Sequence, residues 1–166
     1  MPPTNRRIFL GLLVFFLAAT LPLFAGAKKA PPVTIRLHGE AAPSDGASFS
    51  AEVTLLHSNE KIRIAKVPVV SERDIRAFHP FPGSDGSIGA YFLLDAHGAN
   101  KLQQFSIEDK GGKALVLVNG RVASALLIDK TVNDGILYVP VGILPAEIKA
   151  LQKSFPLIGE ESKSKK

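Results

Sequence analysis

The sequence predicts an α+β domain built on a ferredoxin-like split β-α-β sheet, in the order β-α-β-β-β-α, with extra antiparallel strands ahead of it. Three observations carry the prediction. Short runs alternate apolar and polar side chains with the period of a half-buried strand. Ala99, Leu102 and Phe105, and again Ile148, Leu151 and Phe155, recur at helical spacing. Asn119-Gly120 lies between two apolar runs, and a type I′ hairpin turn needs positive φ at both central positions, which Asn and Gly tolerate best.

The amino terminus is read first because it decides where the domain begins. Residues 1–7 (MPPTNRR) carry Arg6 and Arg7 and no acid, and lead into the apolar run Ile8 to Phe24, followed by Ala25-Gly26-Ala27. A basic end, an apolar stretch and small residues at the exit form an export signal, expected here over residues 1–27 with cleavage after Ala27. The alternative is a retained anchor, since the run approaches the ~17-residue lower limit for a spanning helix; Pro22 weighs against an unbroken helix. Both readings make the protein exported, periplasmic or extracellular, and the second anchors it to the inner membrane through residues 8–24.

Past residue 27, 139 of the 166 residues remain, the length of one compact domain with a core of its own. Of the formal +5 charge, two units come from Arg6 and Arg7 and one from the tail 159–166, leaving +2 on residues 28–158. Those lysines are scattered among acids, which excludes the clustered basic stripe of a nucleic-acid surface. The chain holds no cysteine, which excludes a disulfide framework, thiol chemistry and cysteine-ligated zinc.

Residues 28–32 (KKAPP) read as an extended linker, because prolines 31 and 32 lack donors and disfavour helix before them. An N-terminal β-rich subdomain is expected over 33–78: strands at 33–38, 49–56 and 62–70, the last at an edge or cut short by Pro68, then a short capped helix opened by Ser71. The Pro- and Gly-rich stretch 79–88 reads as a loop between subdomains. From there to residue 158 come a strand at 90–94, a helix capped by Asp95 and closed by Gly111-Gly112, strands at 114–118 and 121–128, a turn at 131–135, a strand at 136–139, and a helix opened by Pro145 and stopped by Pro156. Residues 159–166 (GEESKSKK) are expected to be a solvated tail.

Tyr91-Phe92-Leu93-Leu94-Asp95-Ala96-His97-Gly98-Ala99, followed by the run Gly112 to Ala125 and by Gly142-Ile143-Leu144-Pro145-Ala146-Glu147-Ile148, resembles the head of the first periplasmic domain of SecD/SecF-type protein-export subunits. The resemblance covers about residues 89–155, and Leu126 stands where the family usually has proline. It implies a non-enzymatic role in handling polypeptide beyond the translocon. No second apolar span follows in this sequence, so a stand-alone relative of the head, without the transmembrane bundle, is expected.

Candidate chemistry is sparse. His38 and Glu40 share a strand face, and with Asp95 they are the residues on which a hydrolase or metal-dependent activity would be built; a partly buried structural pair explains the first two, and helix capping explains Asp95. The histidines at 38, 57, 79 and 97 lack the three-to-five spacing of paired ligands, and no serine lies in a nucleophile elbow. Ser84-Asp85-Gly86-Ser87 reads as a turn, with too few carboxylates for calcium. No catalytic, cofactor-binding or metal residue is therefore assigned, and no cofactor is expected. The aromatic residues Phe78, Phe81, Tyr91 and Phe92 flank the 79–88 loop and are the candidate polypeptide-binding residues. The expected function is an exported, non-catalytic domain that binds a polypeptide or another envelope protein, the translocon among them, through a sheet edge or that loop. The rival expectations are the small periplasmic enzyme and a self-assembling envelope protein.

Overall fold

The computed structural model describes residues 33–55, 59–84 and 86–160. The export signal or anchor over 1–27, the linker 28–32, His57, Asp85 and the tail from residue 161 lie outside the described residues. The elements run β1 (Ile35–Gly39), β2 (Ser50–Thr54), β3 (Lys61–Ala65), a 3-10 turn (Glu72–Asp74), β4 (Ile75–Pro82), β5 (Ile88–Leu94), α1 (Ala96–Glu108), β6 (Lys113–Val118), β7 (Arg121–Leu127), β8 (Ile136–Ile143) and α2 (Pro145–Ser154). The class is α+β, and from β5 onward the order is the expected β-α-β-β-β-α.

The strands form three small antiparallel sheets, ordered β1-β6-β7, β2-β3 and β4-β5-β8. The extra N-terminal strands are antiparallel additions: β1 pairs with β6 from Ile35↔Val118 to Gly39↔Ala114, and β4 pairs with β5 from Ile75↔Leu94 to Pro82↔Ile88. Each larger sheet thus draws strands from both sides of the expected loop at 79–88. The β6-β7 hairpin turns at Asn119 and Gly120 with φ of 51° and 79°, the left-handed pair that its dipeptide predicts.

The structure departs from the sequence reading between residues 71 and 88. The expected short helix is only the 3-10 turn Glu72–Asp74, and half of the expected loop is strand. Pairing of β4 with β5 wins over the local helix signal because it satisfies a long main-chain ladder and buries Ile75, Ala77 and Phe78. The prolines do not prevent it. Phe78 turns its main chain away from β5, donating to Pro156 O at 3.1 Å and accepting from Ile158 N at 3.0 Å, so Pro80 and Pro82, two and four residues on, have their missing donors on that same outer side. Gly83 and Ser87 close the way into β5, the Gly83 N–H donating to Ser87 O at 2.9 Å.

One core unites the two larger sheets and both helices: Ile35, Leu37, Phe78, Phe92, Val116, Val118 and Val139 from the strands meet Leu102, Phe105, Ile148 and Leu151 from the helices. The β2-β3 hairpin closes the opposite side of β6, where Ile62 and Ile64 pack on Leu115. The outer edge of β1 is bonded to the chain at Val69-Val70, and that of β4 to Pro156 and Ile158. The inner strands β7 and β8 face each other across a seam, and no main-chain hydrogen bond crosses it among the described residues.

The seam closes at one end. Gly142 has φ +93°, and a Cβ there would lie 1.9 Å from the carbonyl oxygen of Ala123, so backbone meets backbone at this point. Beside it, the Arg121 guanidinium bonds both Glu147 oxygens, at 3.1 and 2.9 Å, and the Gly142 carbonyl at 2.9 Å, while Glu147 also caps the Leu144 N–H at 2.8 Å. A hairpin strand, a sheet edge and a helix start are tied by one carboxylate. Gly142→Ala combines a left-handed φ with a backbone clash and is expected to cost roughly 2–4 kcal/mol, lowering Tm by about 10 °C in a calorimetric melt; an unchanged Tm would show that the two edges do not touch.

Candidate functional site

Past Ala123 and Gly142 the seam widens into an apolar groove of about 390 Å³. Leu37, Leu102 and Leu137 form its floor, Ala125 to Ile128 of the β7 side one wall, Ile136, Tyr138 and Pro140 of β8 the other, and Asp129, Lys130 and Val132 its mouth. The pleat decides what the walls offer. Ile128 donates to Gly112 O at 3.0 Å and accepts from Gly111 N at 2.7 Å, so residues 128, 126 and 124 turn their main chain to β6, and Ala125 and Leu127 turn theirs to the groove. Leu94 N–H donates to Gly135 O at 2.9 Å, which puts Gly135 and Leu137 on the β5 side of β8 and leaves Tyr138 facing the groove. Ile136 adds only its carbonyl, since its N–H goes to Asp134 Oδ1 at 3.0 Å. Leu127 is 65% exposed and Tyr138 47%, so the lip of the groove is greasy as well as the floor.

The aromatic candidates divide between two faces of the β4-β5-β8 sheet. Phe78 and Phe92 are cross-strand partners pointing inward, fully buried, their rings stacked with centroids 6.3 Å apart. They belong to the core and are not available to a partner. Phe81 and Tyr91 point outward and meet ring to ring at 4.8 Å, and Tyr138, directly opposite Tyr91, completes a triad at 5.7 and 5.2 Å from them. Tyr138 is also a groove wall, so the triad and the groove form one continuous surface. The sequence reading missed Tyr138, Leu127 and Ile136. The alternation Leu137-Tyr138-Val139 already marks Tyr138 as the outward residue of its strand; that β8 lies beside β5 rather than pairing with β7 is a tertiary fact that alternation does not carry.

The residues named for acid-base or metal chemistry are not brought together. His38 is buried, with Nδ1 2.8 Å from the carbonyl oxygen of Ala65, where it ties β1 to the end of β3, while Glu40 is exposed. Asp95 Oδ1 caps α1 by accepting from Gly98 N at 2.8 Å. It gathers instead with Asp74 and His97, whose ligand-capable atoms lie within 4.8 Å of one another. This cluster is occupied by its own bonds: Asp74 Oδ2 accepts from Ser71 N at 2.8 Å and Ser71 Oγ at 3.0 Å, Asp74 Oδ1 lies 3.0 Å from His97 Nδ1, and the Lys101 ammonium stands 3.8 Å from Oδ2. With a cation already beside it and its lone pairs committed, it acts as the lock between the 3-10 turn and the start of α1. Burial pushes the Asp74 carboxyl up, but the Ser71 and His97 hydrogen bonds and the Lys101 charge outweigh it and hold the group below its ordinary value. A carboxyl depressed on folding lends stability above its unfolded value near 3.8 and loses it as pH falls through the folded value. Asp74→Asn is therefore expected to lower stability by about 1–3 kcal/mol at pH 7, with the gap to wild type narrowing in melts below about pH 4.

No family model matches the sequence, and no curated protein does. Among the solved chains that share the fold are two of SecDF. One is from the structure of SecDF, described as a membrane component that enhances protein export; it aligns at a TM-score of 0.51 and 13% identity over 75% of this chain and 64% of that one. The other is SecDF in a super-membrane-facing form, with the same TM-score and identity, over 75% of this chain and 19% of that one. This chain therefore spans less than two thirds of the length of either, and the likeness is one of fold: the protein carries a SecDF-like domain.

Proposed function

We propose that the protein is a non-catalytic accessory of protein export whose domain works on the far side of the membrane and holds unfolded polypeptide, in the manner of the periplasmic head of SecD-type subunits. The observation that carries this reading is the seam: two sheet edges, β7 and β8, left without main-chain partners among the described residues around an apolar groove, on a domain whose outer strands β1 and β4 are bonded at Leu37 and Phe78. Uncovered edges flanked by greasy side chains are a hazard that folded proteins suppress unless they are used. The aromatic triad extends the surface along β4-β5-β8, and Phe81, Tyr91 and Tyr138 offer flat, stiff contact area that accepts many side chains. The SecDF-like fold and the basic-then-apolar amino terminus support the same placement at a membrane that exports protein. No helix among the described residues is long and apolar enough to cross a membrane.

A photoreactive residue at position 127, on the groove lip, is expected to crosslink exported chains in transit in the native envelope, whereas one at exposed Gln152 on α2 gives none. Adding Tyr138→Ala is expected to lower the crosslink yield by about tenfold without unfolding the domain, since that ring is half-exposed. Equal yields at positions 127 and 152, or none at either, would defeat the reading.

A further inference from the structure

Resting on that reading, we infer that the groove takes one uncharged, extended segment of another polypeptide as an inserted strand, bonded by its main chain to β7 on one side and β8 on the other, so that β1-β6-β7 and β8-β5-β4 join into a single sheet.

The main-chain chemistry of the walls argues for this occupant. An apolar cleft alone would accept a lipid, a helix or a loose coil. Here Ala125 and Leu127 each direct an N–H and a C=O into the groove from one wall, and Tyr138 directs the same pair from the other. Facing rows of alternate donors and acceptors, both in extended conformation, are matched by an extended peptide and by no lipid or aliphatic ligand. The inserted strand would present alternate residues to the two walls, and its side chains would point by turns to the buried floor at Leu37 and Leu102 and to the open face beside Tyr138.

Charge narrows the class further. From Val122 to Ile128 and from Ile136 to Leu144 there is no charged residue, and the charges nearest the groove, Asp129 and Lys130, stand at its mouth with opposite signs. An ionised side chain over that floor would lose its hydration with no counter-charge, so the central residues of the segment are neutral. Proline is excluded there too, because it supplies no donor to either wall. The backbone contact at Gly142 and Ala123 stops the strand at one end, which limits the bonded stretch to the residues opposite 125–127 and 136–138, about three to five in length. A register this short gives weak, reversible holding, suited to a chain that must move on.

The test uses the full chain in detergent micelles and a fluorescein-labelled heptapeptide of alternating valine and threonine, read by anisotropy. Two analogues carry N-methyl groups on the even or on the odd residues, leaving every side chain in place. Insertion predicts that each analogue binds about tenfold or more weakly than the parent, because each loses the bonds to one wall, and that aspartate at the central position abolishes binding. If only one analogue is weakened, the peptide adds to a single edge and insertion is overturned. If neither is weakened, the groove reads side chains alone; insertion is overturned while polypeptide holding stands. If the parent does not bind and position 127 also crosslinks nothing, the functional reading falls with it. A dimeric mass in light scattering, with a crosslink between copies at position 127, would make a second copy of this chain the occupant and overturn the inference.

Discussion

The contact on which the rest of the architecture depends is the meeting of two main chains at Gly142 and Ala123. There the edges of two separate three-stranded sheets come into backbone contact, and the position tolerates no side chain. Hydrophobic burial holds the sheets over a common core but has no direction, so by itself it would leave their relative angle soft. The Arg121 and Glu147 pair supplies direction, linking the first residue of β7 to the start of α2 and to the Gly142 carbonyl through charge-assisted bonds that are mostly out of water. The groove follows from that arrangement: two twisted sheets pinned at one end must diverge toward the other.

Why the seam does not simply zip shut is answered by residues on both sides of it. The connection from β7 to β8 is a short one, and a short antiparallel connection ordinarily becomes a hairpin. Here β8 is committed elsewhere: it pairs with β5 from Leu93↔Ile136 through Ala90↔Val139 and on to Ile88↔Ile143 past a bulge, burying Leu137, Val139 and Ile143. Loop anchors hold the divergence in place. Ser106 on α1 accepts the Val132 N–H at 2.9 Å, and Asp134 takes the Ile136 N–H, so the chain leaving β7 is drawn across the helix before it enters β8.

Local chemistry was legible in the sequence wherever a residue type is demanded by a backbone angle or a terminus. The Asn119-Gly120 turn, the Asp95 cap and the opening of α2 at Pro145 all fall where their residues predict. The reading failed from residue 71 to 88: the Ser71 cap suggested a helix where Ile75, Ala77 and Phe78 enter a strand, and the proline and glycine content of 79–88 suggested a loop, although the direction of a proline's missing donor depends on which neighbour lies at which edge. The aromatic site was half legible for the same reason. Phe78 and Phe92 cannot be told from Phe81 and Tyr91 by composition; the register Phe78↔Phe92 and Tyr91↔Tyr138 sorts them, and register is a property of the pairing.

Those same pairings explain why the exposed surface lies where it does. A sheet with one face on the core has its polar alternation on the other, yet the outward positions of β5 and β8 carry Tyr91, Leu93, Ile136 and Tyr138 in place of charges. Stability alone does not ask for this, since lysine or threonine at these positions would pair across the strands equally well and keep the edge soluble. The apolar lip at Leu127 and the open main chain of β7 lie against that same face. Apolar side chains and unpaired backbone are the two things a folded surface hides first, and their coincidence at one seam, with the outer strands of the two large sheets bonded at Leu37 and Phe78, is what separates a binding surface from a defect of packing.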